Sequence, residues 1–523
     1  MSFFRSVGVI SGFTLLSRIF GFVRDMILAR VLGAGLAADC FNLAFKLPNV
    51  FRRLFAEGAF SAGFIPLYNR HYKSDGEEGA QHFASEALAM FFPIMLTFTL
   101  LLELVMPGFV WLMNAGGAFQ KIPGKFELAV DLTRITFPYL MLISLATLFS
   151  GILNSLSRFA MAAAAPILLN VALIAAMLLY YREGEIVTAY AMAWAIAFAG
   201  VIQLLLLYIN CRNIGLRFAV FRPRLTENVR ELGRVILPSA LSAGIYNISQ
   251  LVDLFFASLL PQGSISYLNY ADRLNQFILG VVGIALGTAL LPRLSRHIAQ
   301  GQDKQAAELQ NRSCEFSMLI AIPGSFALAS CAYPIAEAIY GGDLLKAYDV
   351  QWIAWTVMGL VSGLPAYMLV KLLVPGFLSR LDMYTPLKVS MVALVVNVIL
   401  NLALYKTLKI AGLALATAIS AWINCLILSV ILKRRDYFSY DRRFWSNVSK
   451  MFVAGCMMLV VLYVVKNTFN TWLGSNWFGG IWQQRVIAIL VLVLSGVVSY
   501  FGACIALGAV TIADVKKRLA IGS

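Results

Sequence analysis

Apolar runs near the roughly 20 residues that span a bilayer follow one another along almost the whole chain, separated by short polar breaks. Taken between those breaks, they predict helices at about 8–32, 38–69, 84–113, 128–153, 160–180 and 188–210. A second set falls at about 235–258, 265–296, 314–339, 350–374, 385–405 and 411–432, and two more at about 448–466 and 485–509. The pattern predicts an all-α integral membrane protein of about 14 transmembrane helices. The opening segment carries charge within its apolar stretch and no small-residue cleavage pattern. It reads as a first membrane helix with a polar face rather than as a cleavable signal.

The same pattern repeats. Gly63-Phe64-Ile65-Pro66-Leu67-Tyr68-Asn69-Arg70-His71 lies 226 residues before Ala289-Leu290-Leu291-Pro292-Arg293-Leu294-Ser295-Arg296-His297, and Pro, Arg and His align without a gap. A looser echo pairs Pro138 with Pro365 and Asn170 with Asn397, at a shift of 227. Six helices per repeat is an even number, so the halves run parallel. Such repeats build transporters whose binding site lies between them. The expected organisation is an N-terminal six-helix lobe (1–211), a basic linker (212–234), a C-terminal six-helix lobe (235–432), a second linker (433–447) and helices 13 and 14 (448–523). The two parallel repeats are expected to surround a central cavity.

Composition sharpens this picture. Of 523 residues, 60% are hydrophobic and 13% charged, against about 25% charged in soluble domains. The net charge of +16 first suggests nucleic acid, but the basic residues sit in short loops rather than on one soluble face, which excludes that partner. The N-terminus and even-numbered loops hold 25 Lys and Arg, the odd-numbered loops 8, Lys121 and Lys125 among them. By the positive-inside rule both termini are cytoplasmic. Seven widely spaced cysteines form no CxxC pair and read as small apolar residues. Three histidines near loops exclude a zinc site. No phosphate loop, HExxH or GxSxG occurs, and neither long polar segment offers an acid pair for general acid–base work. No enzyme activity and no cofactor are expected.

Candidate chemistry lies in charges within the apolar runs, each costing at least ~2.5–3.5 kcal/mol to insert. Arg18, Gly21, Arg24 and Asp25 share one arc of about 120° on the first helix. On the second, Arg53 and Glu57 stand four apart, with Arg52 beside them and Asp39 and Lys46 upstream. Asp272 and Arg273 sit early in helix eight, and Lys371 lies in helix ten. Internal salt bridges are one reading. The seven cations outnumber the carboxylates Asp25, Asp39, Glu57 and Asp272, however, and a net positive cavity fits an anionic substrate. The planar fork of arginine suits phosphate oxygens. Gly21 and Gly58 read as packing contacts, and the helix prolines as ends or static kinks.

Lys46-Leu47-Pro48-Asn49, followed by Arg52-Arg53-Leu54-Phe55-Ala56-Glu57-Gly58-Ala59-Phe60, resembles the signature of the MurJ/MviN family of lipid II flippases. Ser17-Arg18, Gly21-Phe22, Arg24-Asp25, Gly33-Ala34-Gly35, Asp39, Tyr270-Ala271-Asp272-Arg273-Leu274, Ala285-Leu286-Gly287-Thr288 and Pro375-Gly376-Phe377 match as well. The resemblance runs from the first helix to about residue 432. It implies the multidrug/oligosaccharidyl-lipid/polysaccharide exporter fold, with helices 13 and 14 forming a lipid-tail groove. It also implies that Arg18, Arg24, Asp25, Asp39, Arg52, Arg53, Glu57, Asp272 and Arg273 form the substrate site, the arginines meeting a diphosphate. Some relatives resemble a sodium site, which here would use Asp253, Asn397, Asn401, Leu413 and Thr417, with Asn401 where such sites carry a carboxylate. A proton-carrying or structural Asp253 is the alternative.

The implied function is a flippase carrying lipid II, an undecaprenyl-diphosphate-linked disaccharide peptide, across the bacterial inner membrane by alternating access. A monomer among membrane lipids is expected, driven by a monovalent cation or the membrane potential. The rivals are a flippase for another prenyl-diphosphate-linked oligosaccharide, or a drug/cation antiporter of the same fold. The antiporter would need an acidic or aromatic cavity.

Overall fold

The computed structural model describes residues 3–53, 60–113, 121–218, 222–280, 284–472 and 482–509. Among these, 19 α-helices and no strands occur. The first nine are α1 (Phe3–Leu32), α2 (Leu36–Arg52), α3 (Ser61–Ser74), α4 (Gly76–Met113), α5 (Lys125–Thr136), α6 (Tyr139–Ser155), α7 (Phe159–Tyr180), α8 (Glu185–Asn213) and α9 (Glu227–Ser258). The rest are α10 (Ser264–Ile278), α11 (Ile284–Ala299), α12 (Asp303–Ser330), α13 (Ala332–Tyr340), α14 (Ala347–Val361), α15 (Leu364–Leu378), α16 (Tyr384–Leu404), α17 (Lys409–Arg434), α18 (Arg442–Trp472) and α19 (Trp482–Ala506).

Among the described residues three expected helices are each broken in two: α5 with α6, α12 with α13, and α14 with α15, while the junctions of α2 with α3 and of α10 with α11 include residues outside those described. Local chemistry explains two of the breaks. Pro138 occupies the N-cap of α6, where its missing N–H costs nothing. Gly363 precedes α15, whose first turn holds Pro365, a residue pre-set for a helix start. With the pairs joined, the order of elements is consistent with 14 spans.

Ten spans among the described residues are long and apolar enough to cross a membrane by length and composition. The other expected spans are α1, α2–α3, α9 and α10–α11. Charge sets α1 apart, since Arg18, Arg24, Asp25 and Arg30 lie along it. In the next pair, α2 and α3 are 17 and 14 residues long, too short singly for a hydrocarbon core of ~30 Å at 1.5 Å per residue.

The chain divides into two compact units, Met1–Ser266 and Tyr267–Ser523. The seam differs from the expected linker at 212–234 because α9, which opens the second repeat in sequence, packs on α3 and α4. In the first unit α1 lies on α7, α7 on α8, and α2 on α5. Phe60, Phe64, Tyr68 and Phe83 form a buried aromatic stack beneath α3 and α4. Polar ties join α9 to its neighbours: Asn228 donates to Glu86 at 2.9 Å, and Arg70 binds both carboxylate oxygens of Glu231.

In the second unit, α14 approaches α17 along small residues. A Cβ on Gly359 would lie 2.8 Å from Ala414 Cβ, and one on Gly363 2.8 Å from Ala418 Cα. Glycine is required at both positions for this close helix contact, the small-residue packing that membrane helices use. Helix α18 packs on α12 and α19. Asn447 there donates to buried Glu315 at 2.8 Å, which Arg312 also binds while reaching Asp441.

The repeated motif folds alike in each unit. Pro66 lies inside α3 and Pro292 inside α11. His71 Nδ1 meets Asp75 at 3.1 Å, and His297 Nδ1 meets Gln302 Oε1 at 2.7 Å. Each histidine closes the turn after its helix.

Candidate functional site

The arc on α1 is divided by packing. Arg18 is exposed, whereas Arg24 and Asp25 are 5% and 3% exposed against α7. Arg24 donates through Nε and Nη2 to Asp25 Oδ1, at 2.9 and 2.7 Å. Its Nη1 donates to Asn170 Oδ1 at 2.9 Å, and its guanidinium stands 5.0 Å over the Phe45 ring. Gly21 faces the same asparagine, with a Cβ position 3.7 Å from Asn170 Nδ2, which is the packing contact expected of it.

Asp39 is enclosed rather than facing an open cavity. It is 1% exposed and accepts four hydrogen bonds. Lys125 Nζ and the Gly263 N–H reach Oδ2, each at 2.8 Å. The Ser266 N–H at 3.1 Å and hydroxyl at 2.8 Å reach Oδ1. Asn42 donates to the same hydroxyl at 3.1 Å. Gly263 has φ +92°, a left-handed turn that glycine adopts without strain, and this turn aims its N–H at the carboxylate. The carboxylate thereby caps the first turn of α10, where negative charge is favoured by the helix dipole.

Lys125 corrects the sequence reading. Expected in a loop, it is 2% exposed in the first turn of α5. The left-handed Gly124 before it, with φ +77°, starts the helix early enough to turn the ammonium inward. One of the four carboxylates set against the buried cations therefore has a partner outside that set.

Arg52 and Arg53, both half-buried, close α2. Arg52 Nε donates to Asn49 Oδ1 at 3.2 Å, and Arg53 Nη1 to Gln250 Oε1 of α9 at 3.4 Å. Glu57 and Gly58 lie outside the described residues. In the second unit Asp272 and Arg273 are half-buried on α10, and Gln276 donates to Asp272 at 2.5 Å.

Of the residues named for a cation, Asp253 belongs to the first unit and the others to the second. Asn401 Nδ2 donates to Asn397 Oδ1 at 3.1 Å, Asn397 Nδ2 to Thr417 Oγ1 at 3.3 Å, and Thr417 to Leu413 O at 3.0 Å. These neutral oxygens suit a monovalent ion, but their amides and hydroxyl are already engaged with one another. Among the described residues no group of three or more His, Cys, Asp or Glu is placed to hold a metal.

Charge alone pointed to neither Lys125 nor Asn170. A Pro-Gly turn ahead of Lys125 and the repeat echo at Asn170 were the available signals.

Comparison with known proteins gives this geometry a context. A family model described as lipid II flippase MurJ matches residues 28–479. A protein named "Probable lipid II flippase MurJ" from Rhizobium meliloti (strain 1021) is 36% identical over 525 residues, covering 100% of this chain and 97% of its own. "Lipid II flippase MurJ" of Burkholderia cenocepacia is 34% identical over 445 residues, 84% of this chain and 85% of its own. Among solved structures, "Lipid II flippase MurJ, inward closed conformation" superposes with TM-score 0.78 at 23% identity, over 95% of this chain and 98% of that one. An inward-facing multidrug resistance MATE transporter of the MOP superfamily gives 0.66 at 15% identity, over 82% and 97%. At those identities the two structures establish the shared fold. With a family model spanning most of its length and relatives matched end to end, this multi-pass, all-helical chain belongs to the lipid II flippase MurJ family.

Proposed function

We propose that this chain moves lipid II from the cytoplasmic to the periplasmic leaflet of a bacterial inner membrane. Family membership along nearly the whole sequence carries the reading. The intramembrane arginines give it a physical basis. Arg18, exposed on α1, together with Arg24, Arg52 and Arg53 of the same unit, would hold the diphosphate, where planar guanidinium forks match phosphate oxygens. Asp25 and Asn170 fix Arg24, and Asp272 stands beside Arg273. No bond is made or broken in this cycle. Both termini and the 212–234 loop lie in the cytoplasm on the charge asymmetry, and the chain works as a monomer among membrane lipids.

The membrane potential supplies ~2.3 kcal/mol per charge per 100 mV. A monovalent cation at the Asn397, Asn401 and Thr417 oxygens of the second unit is the alternative source of coupling. The intramembrane arginines argue against a drug antiporter, because they repel cationic drugs.

Depleting the protein should accumulate lipid II on the cytoplasmic face. A plasmid copy should reverse this, and the Arg18→Ala copy should not, despite normal abundance in the membrane. Arg18→Lys should give an intermediate defect, since it keeps the charge and loses the fork. Unchanged lipid II distribution after depletion would remove the proposal.

A further inference from the structure

Asn170 carries no charge and projects from the middle of α7, yet it is 7% exposed and makes contacts at two places on α1. Its Oδ1 accepts from Arg24 Nη1 at 2.9 Å. Its Nδ2 donates to Ser17 O at 3.2 Å and, less closely, to Pro166 O at 3.4 Å on its own helix. The amide has only one sensible orientation. The guanidinium is purely a donor and must meet the oxygen, while both carbonyls are acceptors and must meet the nitrogen.

We propose that Asn170 is the positioning residue for Arg24. It fixes the guanidinium from one side and ties the backbone of α1 to α7 about two turns away, so one side chain sets both the rotamer of Arg24 and the height at which α1 presents it. Asp25 holds a second edge of the guanidinium, and the Phe45 ring covers its face at 5.0 Å. A long arginine left to itself samples many rotamers. Held on three sides, it meets an anion with that ordering already done.

The neutral amide also has an electrostatic reason. A carboxylate at 170 would add a negative charge beside Arg24 and oppose a diphosphate. The space around the amide is limited, because the Cβ position of Gly21 lies 3.7 Å from Asn170 Nδ2. The repeat places a buried amide at the corresponding position of the second unit, Asn397, where the oxygen accepts from neutral Asn401 instead of a cation.

This inference rests on the reading of Arg24 as a diphosphate-binding residue, and the test separates the two. Full-length protein in nanodiscs would be titrated with lipid II as wild type, Asn170→Ala, Asn170→Asp, Arg24→Ala and the Arg24→Ala/Asn170→Ala double variant. Membrane abundance and melting would be recorded for each.

Asn170→Ala should weaken binding about ten-fold, the worth of one charge-assisted hydrogen bond, with normal abundance. It should add less than about two-fold in the Arg24→Ala background, where there is no guanidinium to position. Asn170→Asp should bind at least as poorly as Asn170→Ala, and more so at low salt. If Asn170→Ala does not accumulate, Asn170→Ser serves in its place, since its hydroxyl can bond its own helix but cannot reach Arg24. Wild-type binding by Asn170→Ala beside a defective Arg24→Ala overturns the positioning role alone. Equal losses in both backgrounds also overturn it, because they mark Asn170 as ordinary packing. Wild-type binding by well-expressed Arg24→Ala removes the reading beneath it.

Discussion

At the scale of single residues, burial separates charges that look alike in the sequence. Asp39 and Asp25 were grouped with the site because both lie in apolar helices near arginines. Asp39 is surrounded by Lys125, Gly263 and Ser266 instead. Removing one member of a buried pair leaves the other uncompensated, at about 3–5 kcal/mol. Lys125→Met should therefore lower the melting temperature of the purified protein markedly. Adding Asp39→Asn should recover part of the loss, because the neutral amide no longer needs a cation. Equal stability of Lys125→Met and wild type would show that the three neutral donors suffice for Asp39.

At the scale of elements, polar ties mark which helix goes with which. By sequence α9 begins the second repeat, yet it packs on α3 and α4, and the Arg70–Glu231 pair marks that contact. Both side chains are exposed, so the pair adds little energy, but it titrates. The hydrogen bonds from Arg70 hold the Glu231 carboxyl below the usual glutamate range, which is about 4.3. A lowered folded-state value stabilises the tie above the unfolded value, and the contribution is lost as pH falls through the folded one. Spin labels at Lys73 and Arg234 should report a constant separation near neutrality and a wider one only in acid below that range. Glu231→Gln should show no acid transition. A transition near pH 7 instead would assign the contact to another group.

For the whole molecule, topology is the property most exposed to test. Of the basic residues behind the orientation, Lys516, Lys517 and Arg518 lie outside the described residues, so the loops between helices carry the argument. Reporter fusions within 212–234 and at Ser523 should report the cytoplasm, and one at Lys121 the opposite side. Finding Lys121 and Ser523 on the same side would overturn the orientation and the direction of transport with it.

Class and element order were legible in the sequence because they follow from local properties. Apolar runs must become helices in a bilayer, where no water can satisfy a bare backbone, and the 14 runs in the sequence are consistent with the single and paired helices observed. The repeat was legible for the same reason, since Pro66 and His71 and their counterparts Pro292 and His297 perform the same local task. The helix breaks were less legible, because a proline or glycine can lie within a helix, as Pro166 does in α7, or end one, as at Pro138. Partnership was not legible at all. Lys125 meets Asp39 across 86 positions, and Asn170 meets Arg24 across 146. Those pairings depend on which helix faces lie together, and periodicity gives a face its polarity without naming the neighbour it will meet. The sequence determined that charge would lie within the apolar runs; tertiary packing alone decided which charges are enclosed, Arg24, Asp25, Asp39, Lys125 and Glu315 among the described residues, and which stay exposed, such as Arg18.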